Sequence, residues 1–261
     1  MQSIEFFKYQ GTGNDFVMID DRSESFDLEN HALIARVCHR RFGVGADGLI
    51  LIRNHDQADF EMIYYNADGL LTSLCGNGSR CVVQFAHQLE MITNQCSFMT
   101  VEGILEARIK DGLVHLKMPD IVGIESHKNH YFLNTGSPHH ICFVDDVENY
   151  DVFSQGKKIR NGAPYYKEGT NVNFVKSISD DQIFVRTYER GVEDETLSCG
   201  TGVTAAALVQ GLKGGNSPIK VLTLGGELQI SFEKNSDNTF KNIHLIGTAS
   251  LVFGGEISLE L

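Results

Sequence analysis

The chain contains an internal repeat, and this repeat constrains its fold more than any other feature. Cys-Gly-Asn-Gly at residues 75–78 returns as Cys-Gly-Thr-Gly at residues 199–202, 124 positions later. Further matches recur at an offset of 123: Thr12-Gly13 with Thr135-Gly136, Tyr65 with Tyr188, and residues 100–103 with 223–226. The repeat predicts two diverged copies of one folding unit. Each copy presents one cysteine at the start of a helix, and facing copies would place two thiols across one cleft.

Short alternating segments predict that strands dominate both halves. The predicted strands are residues 4–9, 16–20, 49–53, 60–66, 104–110, 113–118, 141–144, 172–175, 183–189, 219–223, 228–232 and 241–246. Residues 29–42 have an amphipathic helical pattern. Residues 78–89 and 203–212 are apolar or small on nearly every side, which is typical of a buried helix. We therefore predict an α+β protein with two pseudo-symmetric domains, each a mostly antiparallel, β-barrel-like sheet around a central helix.

The length of 261 residues and an offset of about half of it favour two domains. We place their boundary near Pro119. The first domain is predicted to span residues 1–118, completed by a C-terminal strand at 252–261. The second is predicted to span residues 119–251.

The composition excludes several classes of function. The net charge of −12 argues against nucleic-acid binding, which needs a basic surface. The first residues lack a secretion signal, and no apolar run reaches the roughly 18 residues of a membrane span. We therefore expect a cytoplasmic protein whose six cysteines stay reduced. Their spacing includes no C-x-x-C pair, which makes a zinc site improbable.

Residues 43–48 match the dinucleotide-binding pattern G-x-G-x-x-G. That pattern requires a preceding strand and a following helix. Here a predicted helix precedes the glycines and a predicted strand follows them. A turn from helix to strand is the favoured interpretation.

The two Cys-Gly-x-Gly elements carry the strongest functional signal. Unpaired backbone N–H groups and the positive end of the dipole make a helix N-terminus favourable for anions. Such a position favours a thiolate at Cys75 and Cys199 and can hold a substrate carboxylate beside the sulfur. One copy alone is more simply a buried cysteine in a tight turn. Two copies at equivalent positions favour function, whereas Cys38, Cys81, Cys96 and Cys142 are interpreted as packing residues.

Two further positions are candidates on their placement in the repeat. His139 follows Thr135-Gly136, where the first copy has Asn14 and its neighbours. A single histidine is more often structural, and His140 beside it weakens the signal. Glu189 and Arg190 precede the second cysteine; such a pair is usually a solvated ion pair, but it could also polarise the thiol and bind a carboxylate.

These motifs together closely resemble the diaminopimelate epimerases. The resemblance covers essentially the whole chain and rests on ordered motifs at residues 11–16, 43–47, 66–69, 75–78, 136–139, 171, 189–191 and 195–202. It implies interconversion of L,L- and meso-diaminopimelate, with no pyridoxal phosphate, metal or nucleotide. It also implies a homodimer, because family members are commonly dimers.

The resemblance also implies roles for particular residues. Cys75 and Cys199 resemble the two acid/base thiols, with His139 as the partner of Cys75 and Glu189 as the partner of Cys199. The remaining substrate-binding positions are Asn14, Asn66, Gly76, Asn77, Asn171, Arg190, Gly200 and Thr201. Among these, residues 76–77 and 200–201 would cradle the reacting carboxylate, and Arg190 would reach the distal one.

The chain departs from the family pattern in two places. Ser137 stands where the family usually has Asn, so we expect no equivalent role for this residue. The segment from Glu189 to Thr196 is one residue longer than usual and lacks its second glycine. We expect a bulged loop there, which would alter the approach of Glu189 to Cys199.

Two rival interpretations remain open. A proline or hydroxyproline racemase-type enzyme would also use paired cysteines, although Arg190 with Asn66 and Asn171 suggests a longer substrate with a second charged end. A ligand-binding module without chemistry is the other alternative. The presence of both Cys75 and Cys199 counts against it.

Overall fold

The computed structural model describes residues 2–72, 75–235 and 239–259, in which strands outnumber helices. The elements are, in chain order, β1 (Gln2–Gly11), β2 (Asn14–Asp20), α1 (His31–Cys38), β3 (Gly48–Arg53), β4 (Phe60–Asn66), α2 (Gly76–Gln88), β5 (Gln95–Thr100), β6 (Gly103–Lys110), β7 (Leu113–Lys117), β8 (Glu125–Ser126), β9 (Tyr131–Asn134), β10 (Pro138–Phe143), α3 (Val152–Asn161), β11 (Asn171–Ser179), β12 (Gln182–Glu189), β13 (Asp194–Thr196), α4 (Gly200–Leu212), β14 (Ile219–Thr223), β15 (Gly226–Lys234), β16 (Phe240–Gly247) and β17 (Ser250–Leu259). No helix of these described residues is long and apolar enough to cross a membrane.

Helix α1 is shorter than the predicted residues 29–42. It begins after Asn30, whose side chain accepts a hydrogen bond from the Leu33 N–H. It ends at His39, where the backbone becomes extended. Residues 43–48 then lead into β3, so the interpretation of these glycines as a turn from helix to strand is confirmed.

Helix α3 was not predicted from the sequence. Its buried residues are Val152 and Gly156, too few to give an apolar period of 3.6. Asp151 caps its N-terminus by accepting a hydrogen bond from the Ser154 N–H. Gly156 allows close packing on Tyr188, because a Cβ at this glycine would lie 2.3 Å from the tyrosine Cβ.

The first compact unit contains Met1–Leu116 and Thr248–Leu261. Its pairings run β17–β1–β2–β3–β4–β5–β6–β7, and they are antiparallel except for β2–β3 and β4–β5. The two parallel pairs are the ones joined through helices α1 and α2, since parallel neighbours need a crossover. Helix α2 is buried along most of its length, as predicted.

The second compact unit contains Lys117–Gly247. Its pairings run β8–β9–β10–β11–β12–β14–β15–β16. They are antiparallel except for β10–β11 and β12–β14. Helices α3 and α4 provide the crossovers. Every residue of α4 from Gly200 to Gly211 is buried, as the sequence predicted.

The two units share one order of elements and pairings. The six pairs from β1 to β7 in the first unit correspond to the six pairs from β9 to β16 in the second. In both units the second and fourth pairs are parallel and the other four are antiparallel. Thr100 and Thr223 make equivalent turn bonds, donating to the Gly103 and Gly226 carbonyls at 2.8 and 2.9 Å. The predicted fold class is confirmed; the predicted domain bounds stay a prediction.

Candidate active site

The two repeated cysteines occupy equivalent backbone positions at helix starts. Cys75 is the N-cap of α2 with φ −116° and ψ 115°, and Cys199 is the N-cap of α4 with φ −115° and ψ 111°. Their carbonyls accept the first helical bonds, from the N–H groups of Ser79 at 2.8 Å and Val203 at 2.9 Å. The prediction of a cysteine at each helix start is confirmed.

In the first unit, Cys75 lies beside two asparagine side chains. Its thiol donates to Asn14 Oδ1 at 3.4 Å, and Asn77 Nδ2 donates to the same oxygen at 3.3 Å. Asn14 Nδ2 in turn donates to Asp47 Oδ2 at 2.7 Å. These contacts orient the Asn14 amide, so its oxygen is the atom presented to the thiol.

A cluster of charged residues holds the loop that carries Asn14. Arg40 donates to Asp15 through two nitrogens at 2.9 and 2.7 Å and to Asp47 at 2.7 Å. Lys8 pairs with Asp15 at 2.7 Å. Burial alone would raise the pKa of Asp15, but hydrogen bonds from Arg40 and Lys8 hold it well below its usual range. Asp15 therefore stays ionised and anchors the loop.

Asn66 lies at the end of β4 in the same unit. Its backbone N–H donates to the Leu70 carbonyl at 3.0 Å, and its side-chain oxygen accepts from the Tyr64 hydroxyl at 3.2 Å. Its expected contact with substrate stays a prediction.

In the second unit, a chain of polar contacts runs from Cys199 to His139. Cys199 Sγ lies 3.5 Å from Thr201 Oγ1, and that hydroxyl lies 2.9 Å from His139 Nε2. The Thr135 hydroxyl donates to the Thr201 carbonyl at 2.9 Å, which fixes the first turn of α4. His139 is fully buried at this position.

Hydrogen bonds determine the tautomer of His139. The Thr187 hydroxyl donates to Asn173 Oδ1 at 2.9 Å, so Asn173 Nδ2 faces His139 Nδ1 at 3.1 Å. Nδ1 must accept this bond, and Nε2 therefore carries the proton and donates to Thr201. Burial, with a smaller effect of Arg190, lowers the pKa of His139 to about 3. His139 is thus a neutral donor at physiological pH.

Asn171 and Arg190 also meet in the second unit. The Arg190 N–H donates to Asn171 Oδ1 at 2.8 Å, and Asn171 Nδ2 donates to the Pro138 carbonyl at 3.3 Å. The Arg190 guanidinium donates to the Glu168 carbonyl at 3.0 Å. It borders a cavity of about 500 Å³ whose walls include Phe132, Pro138, Pro164, Tyr165 and Tyr166.

The segment after Glu189 forms a tight hairpin. Glu189 pairs with Asp194 across β12 and β13, and the Glu193 N–H donates to the Glu189 carbonyl at 2.8 Å. Glu193 is anchored by Arg160 at 2.8 Å. The Glu189 carboxylate accepts from the Thr196 hydroxyl at 2.8 Å. The extra length is thus accommodated in the turn, and the approach of Glu189 to Cys199 stays a prediction.

The other four cysteines are in packing positions, as interpreted from the sequence. Burial raises the pKa of Cys38 and Cys96 to about 12 and that of Cys142 to about 11. Cys81 is fully buried in α2, and its pKa is raised by the same cause. These thiols stay protonated at physiological pH.

Sequence reasoning missed several residues that support the two cysteines. Asn173 lies two positions after Asn171 on β11, where alternate residues share a face, and this spacing could have identified it. Thr12 and Thr135 belong to the repeat, and each hydroxyl bonds to the residue two positions after a cysteine, Asn77 or Thr201. No sequence signal marked Arg80, whose guanidinium donates to the Gly76 carbonyl and to Asn77 Oδ1.

Comparison with known structures places the fold in a defined class. A phenazine biosynthesis protein of the PhzF family from Bacillus anthracis matches with a TM-score of 0.72 at 17% identity, covering 99% of this chain and 100% of that chain. A hydroxyproline epimerase from Agrobacterium vitis matches with a TM-score of 0.65 at 14% identity, covering 98% and 93%. This chain therefore shares its fold with these proteins. In this chain, each of the two units has a cysteine at a helix N-cap.

Sequence comparison is more specific. The family model "Diaminopimelate epimerase" matches residues 6–118 and 131–252. Diaminopimelate epimerases from Flavobacterium psychrophilum and Aquifex aeolicus are 48% and 41% identical to this chain; the matches cover 96% and 99% of it, and 98% and 99% of those proteins. The chain belongs to the diaminopimelate epimerase family. It is therefore an enzyme, and the family predicted from the motifs is confirmed.

Proposed function

We propose that this enzyme converts L,L-diaminopimelate to meso-diaminopimelate by a two-thiol proton transfer without a cofactor, in lysine and peptidoglycan precursor biosynthesis. The observation that carries the proposal is the pair of N-cap cysteines at equivalent positions of two helices. The substrate is inferred from the two relatives described above, which are diaminopimelate epimerases. The hydrogen bonds around each cysteine support proton transfer by its thiol.

The chemical difficulty is that an amino-acid α-proton is weakly acidic and a thiolate is a modest base. Backbone N–H groups at the start of α2 and α4 would stabilise charge on the substrate carboxylate, as an oxyanion hole does. Gly76, Asn77, Gly200 and Thr201 form these first turns. One cysteine would remove the α-proton as thiolate while the other returns a proton as thiol. The roles reverse when the other stereoisomer is bound.

The two cysteines have different polar partners. Asn14 accepts from the Cys75 thiol. Thr201 lies between Cys199 and the neutral His139, which donates to the Thr201 hydroxyl. The partnership of His139 with Cys75 and that of Glu189 with Cys199 are parts of the proposal. Arg190, which borders the cavity, and Asn171, which accepts from the Arg190 N–H, would bind the distal end of the substrate.

A substrate panel tests this function. The purified enzyme is expected to epimerise L,L-diaminopimelate and to leave L-proline and trans-4-hydroxy-L-proline unchanged, because Arg190 offers a second charged site that the ring substrates do not fill. Chiral chromatography of each reaction measures the outcome. The Cys199→Ala variant serves as the inactive control. Turnover of either proline without turnover of diaminopimelate would assign the enzyme to the racemases of cyclic imino acids.

We also propose that the enzyme is a cytoplasmic homodimer. Reduced thiols require a reducing compartment. Strand β17 exposes three consecutive apolar side chains, Leu251 at 47%, Val252 at 55% and Phe253 at 47%. Exposed apolar side chains of this kind are typical of a protein–protein interface.

Substitution in the exposed patch tests the dimer. Val252→Glu is expected to shift the mass measured by light scattering from dimer to monomer, because it places a charge in an apolar interface. The control is Val122→Glu, at a position 82% exposed in the other unit, which should leave the mass unchanged. A monomeric wild-type protein at micromolar concentration would contradict the proposal.

A further inference from the structure

The carboxylate of Asp47 contacts the Asn14 side chain that borders Cys75. Its Oδ1 accepts from Arg40 at 2.7 Å, and its Oδ2 accepts from the Asp15 N–H at 3.3 Å. A guanidinium and a backbone N–H can only donate, so both oxygens of Asp47 serve as acceptors. The Asn14 atom that faces Oδ2 at 2.7 Å is therefore the amide nitrogen.

The Asn14 amide is restrained in the same sense at its oxygen. Arg80 donates to Asn77 Oδ1 at 3.0 Å, which leaves Asn77 Nδ2 to donate to Asn14 Oδ1 at 3.3 Å. Because Asn14 Nδ2 is bound to Asp47, the oxygen of the amide is directed to Cys75 and accepts from its thiol at 3.4 Å. Two independent contacts thus hold an acceptor beside the sulfur.

This acceptor opposes the effect of the helix start on Cys75. Backbone N–H groups at a helix N-terminus favour a thiolate. An oxygen that accepts from the S–H group stabilises the protonated form instead, because a thiolate has no proton to donate to it. If the amide were turned around, an N–H donor would face the sulfur and favour the thiolate. The orientation of one amide therefore influences the protonation state of Cys75.

The second unit has a hydroxyl where the first has this carboxylate. At the offset of 123, Thr170 corresponds to Asp47. Ser137 likewise corresponds to Asn14. The Thr170 hydroxyl donates to the Pro138 carbonyl at 3.1 Å. The sequence of the second unit therefore does not reproduce the pair of carboxylate and amide.

We propose that Asp47 is a positioning residue that fixes the Asn14 amide with its oxygen toward Cys75, so that Cys75 is a thiol in the resting enzyme. In the reaction proposed above, this form is the acid that returns a proton to the α-carbon. The inference rests on the proposed function only for that catalytic meaning. The protonation state of Cys75 can be measured without substrate.

The pH profile of Cys75 alkylation tests the proposal. Iodoacetamide reacts with the thiolate, and mass spectrometry of the Cys75 peptide measures the rate at each pH. Asp47→Asn is the informative variant, because it replaces one oxygen by an amide nitrogen and keeps the shape of the side chain. The charge-assisted bond from Arg40 retains the remaining oxygen, so the new nitrogen faces Asn14. The Asn14 amide must then turn to accept, which directs its own nitrogen to the sulfur.

Asp47→Asn is expected to raise the alkylation rate of Cys75 at neutral pH by about tenfold, which corresponds to a midpoint about one pKa unit lower. Asn14→Ala removes the acceptor and should also lower the midpoint. Asp59→Asn is the matched control in the same unit. The Asp59 carboxylate also accepts from a backbone N–H, that of Ser97 at 2.7 Å, and its loss should leave the Cys75 profile unchanged.

A double variant separates orientation from charge. Loss of a negative charge would by itself favour a thiolate nearby. If Asp47 acts through Asn14, adding Asp47→Asn to Asn14→Ala should leave the Cys75 midpoint where Asn14→Ala alone puts it. A shift that persists undiminished in the Asn14→Ala background would overturn the proposal, because the carboxylate would then act by its charge alone.

The remaining outcomes also distinguish this inference from the proposed function. An unchanged or raised Cys75 midpoint in Asp47→Asn, with the fold verified by circular dichroism, would contradict the positioning role. If that variant does not fold, Asn14→Ala decides by the same criterion. If the midpoints behave as expected but diaminopimelate is not epimerised, the role of Asp47 holds and the proposed substrate is wrong.

Discussion

Replacement of Cys199 by alanine is expected to lower kcat/KM for diaminopimelate epimerisation by about 10³-fold. A positioned acid or base contributes about 10²- to 10⁴-fold, and epimerisation needs both thiols in every turnover. Cys199 caps a helix that is buried along its length, so the loss of one sulfur leaves the surrounding backbone in place. Cys75→Ala should have an effect of the same order. Polarimetry or chiral chromatography from each stereoisomer measures the loss.

Cys96→Ala is the matched control for this prediction. Cys96 is also a buried cysteine, but its pKa is raised to about 12, and it lies on β5 as a packing residue. We expect a small loss of stability and an unchanged kcat/KM. Activity of Cys199→Ala within a few-fold of the wild type would contradict the assignment of this thiol.

Replacement of Gly202 by alanine is expected to damage the second cysteine site. A Cβ at this glycine would lie 2.3 Å from Asn173 Oδ1 and 3.3 Å from Cys199 Sγ. Asn173 cannot move freely, because Thr187 and His139 hold its amide. We expect a loss of about 1–3 kcal/mol in the free energy of unfolding. A fall of at least tenfold in kcat should accompany it, as measured by chemical denaturation and steady-state kinetics.

The repeat provides a matched control for this substitution. Gly78 is the equivalent of Gly202 in the first unit, and its Cβ would lie 3.0 Å from Ile50 Cδ1 and 3.4 Å from the Phe16 ring. The end of an isoleucine side chain can shift, and alanine gains about 1 kcal/mol of helix propensity over glycine. Gly78→Ala should therefore be nearly neutral for stability. Equal losses in the two variants would show that the Asn173 contact is not the cause.

The repeat predicted the parts of this protein that depend on local sequence. A cysteine followed by glycine, a small residue and glycine is compatible with a helix start, and both N-cap positions agree with that expectation. The buried character of α2 and α4 followed from their apolar and small residues. These features depend on neighbouring residues along the chain, which is why they could be predicted.

The polar supports of the two cysteines depend instead on contacts between distant segments. Asn173 is fixed by Thr187 across β11 and β12, and Arg80 is bonded to Thr248, far along the chain. The tautomer of His139 depends on these cross-strand bonds and could not be derived from the sequence. The turn after Glu189 is held by the ion pair of Glu193 with Arg160, a residue 33 positions earlier in the chain. Contacts of this kind between distant segments can be identified only from the tertiary structure.

The most direct test of the two-thiol mechanism is the origin of the α-hydrogen in the product. The enzyme is given protiated L,L-diaminopimelate in D₂O, and both stereoisomers are analysed by mass spectrometry during the first few per cent of reaction. Because one thiol keeps the abstracted proton while the other delivers a solvent-derived one, the meso product should carry one deuterium and the remaining substrate none. A meso product that retains protium at the inverted carbon would contradict the account, since a single group would then have removed and returned the same proton.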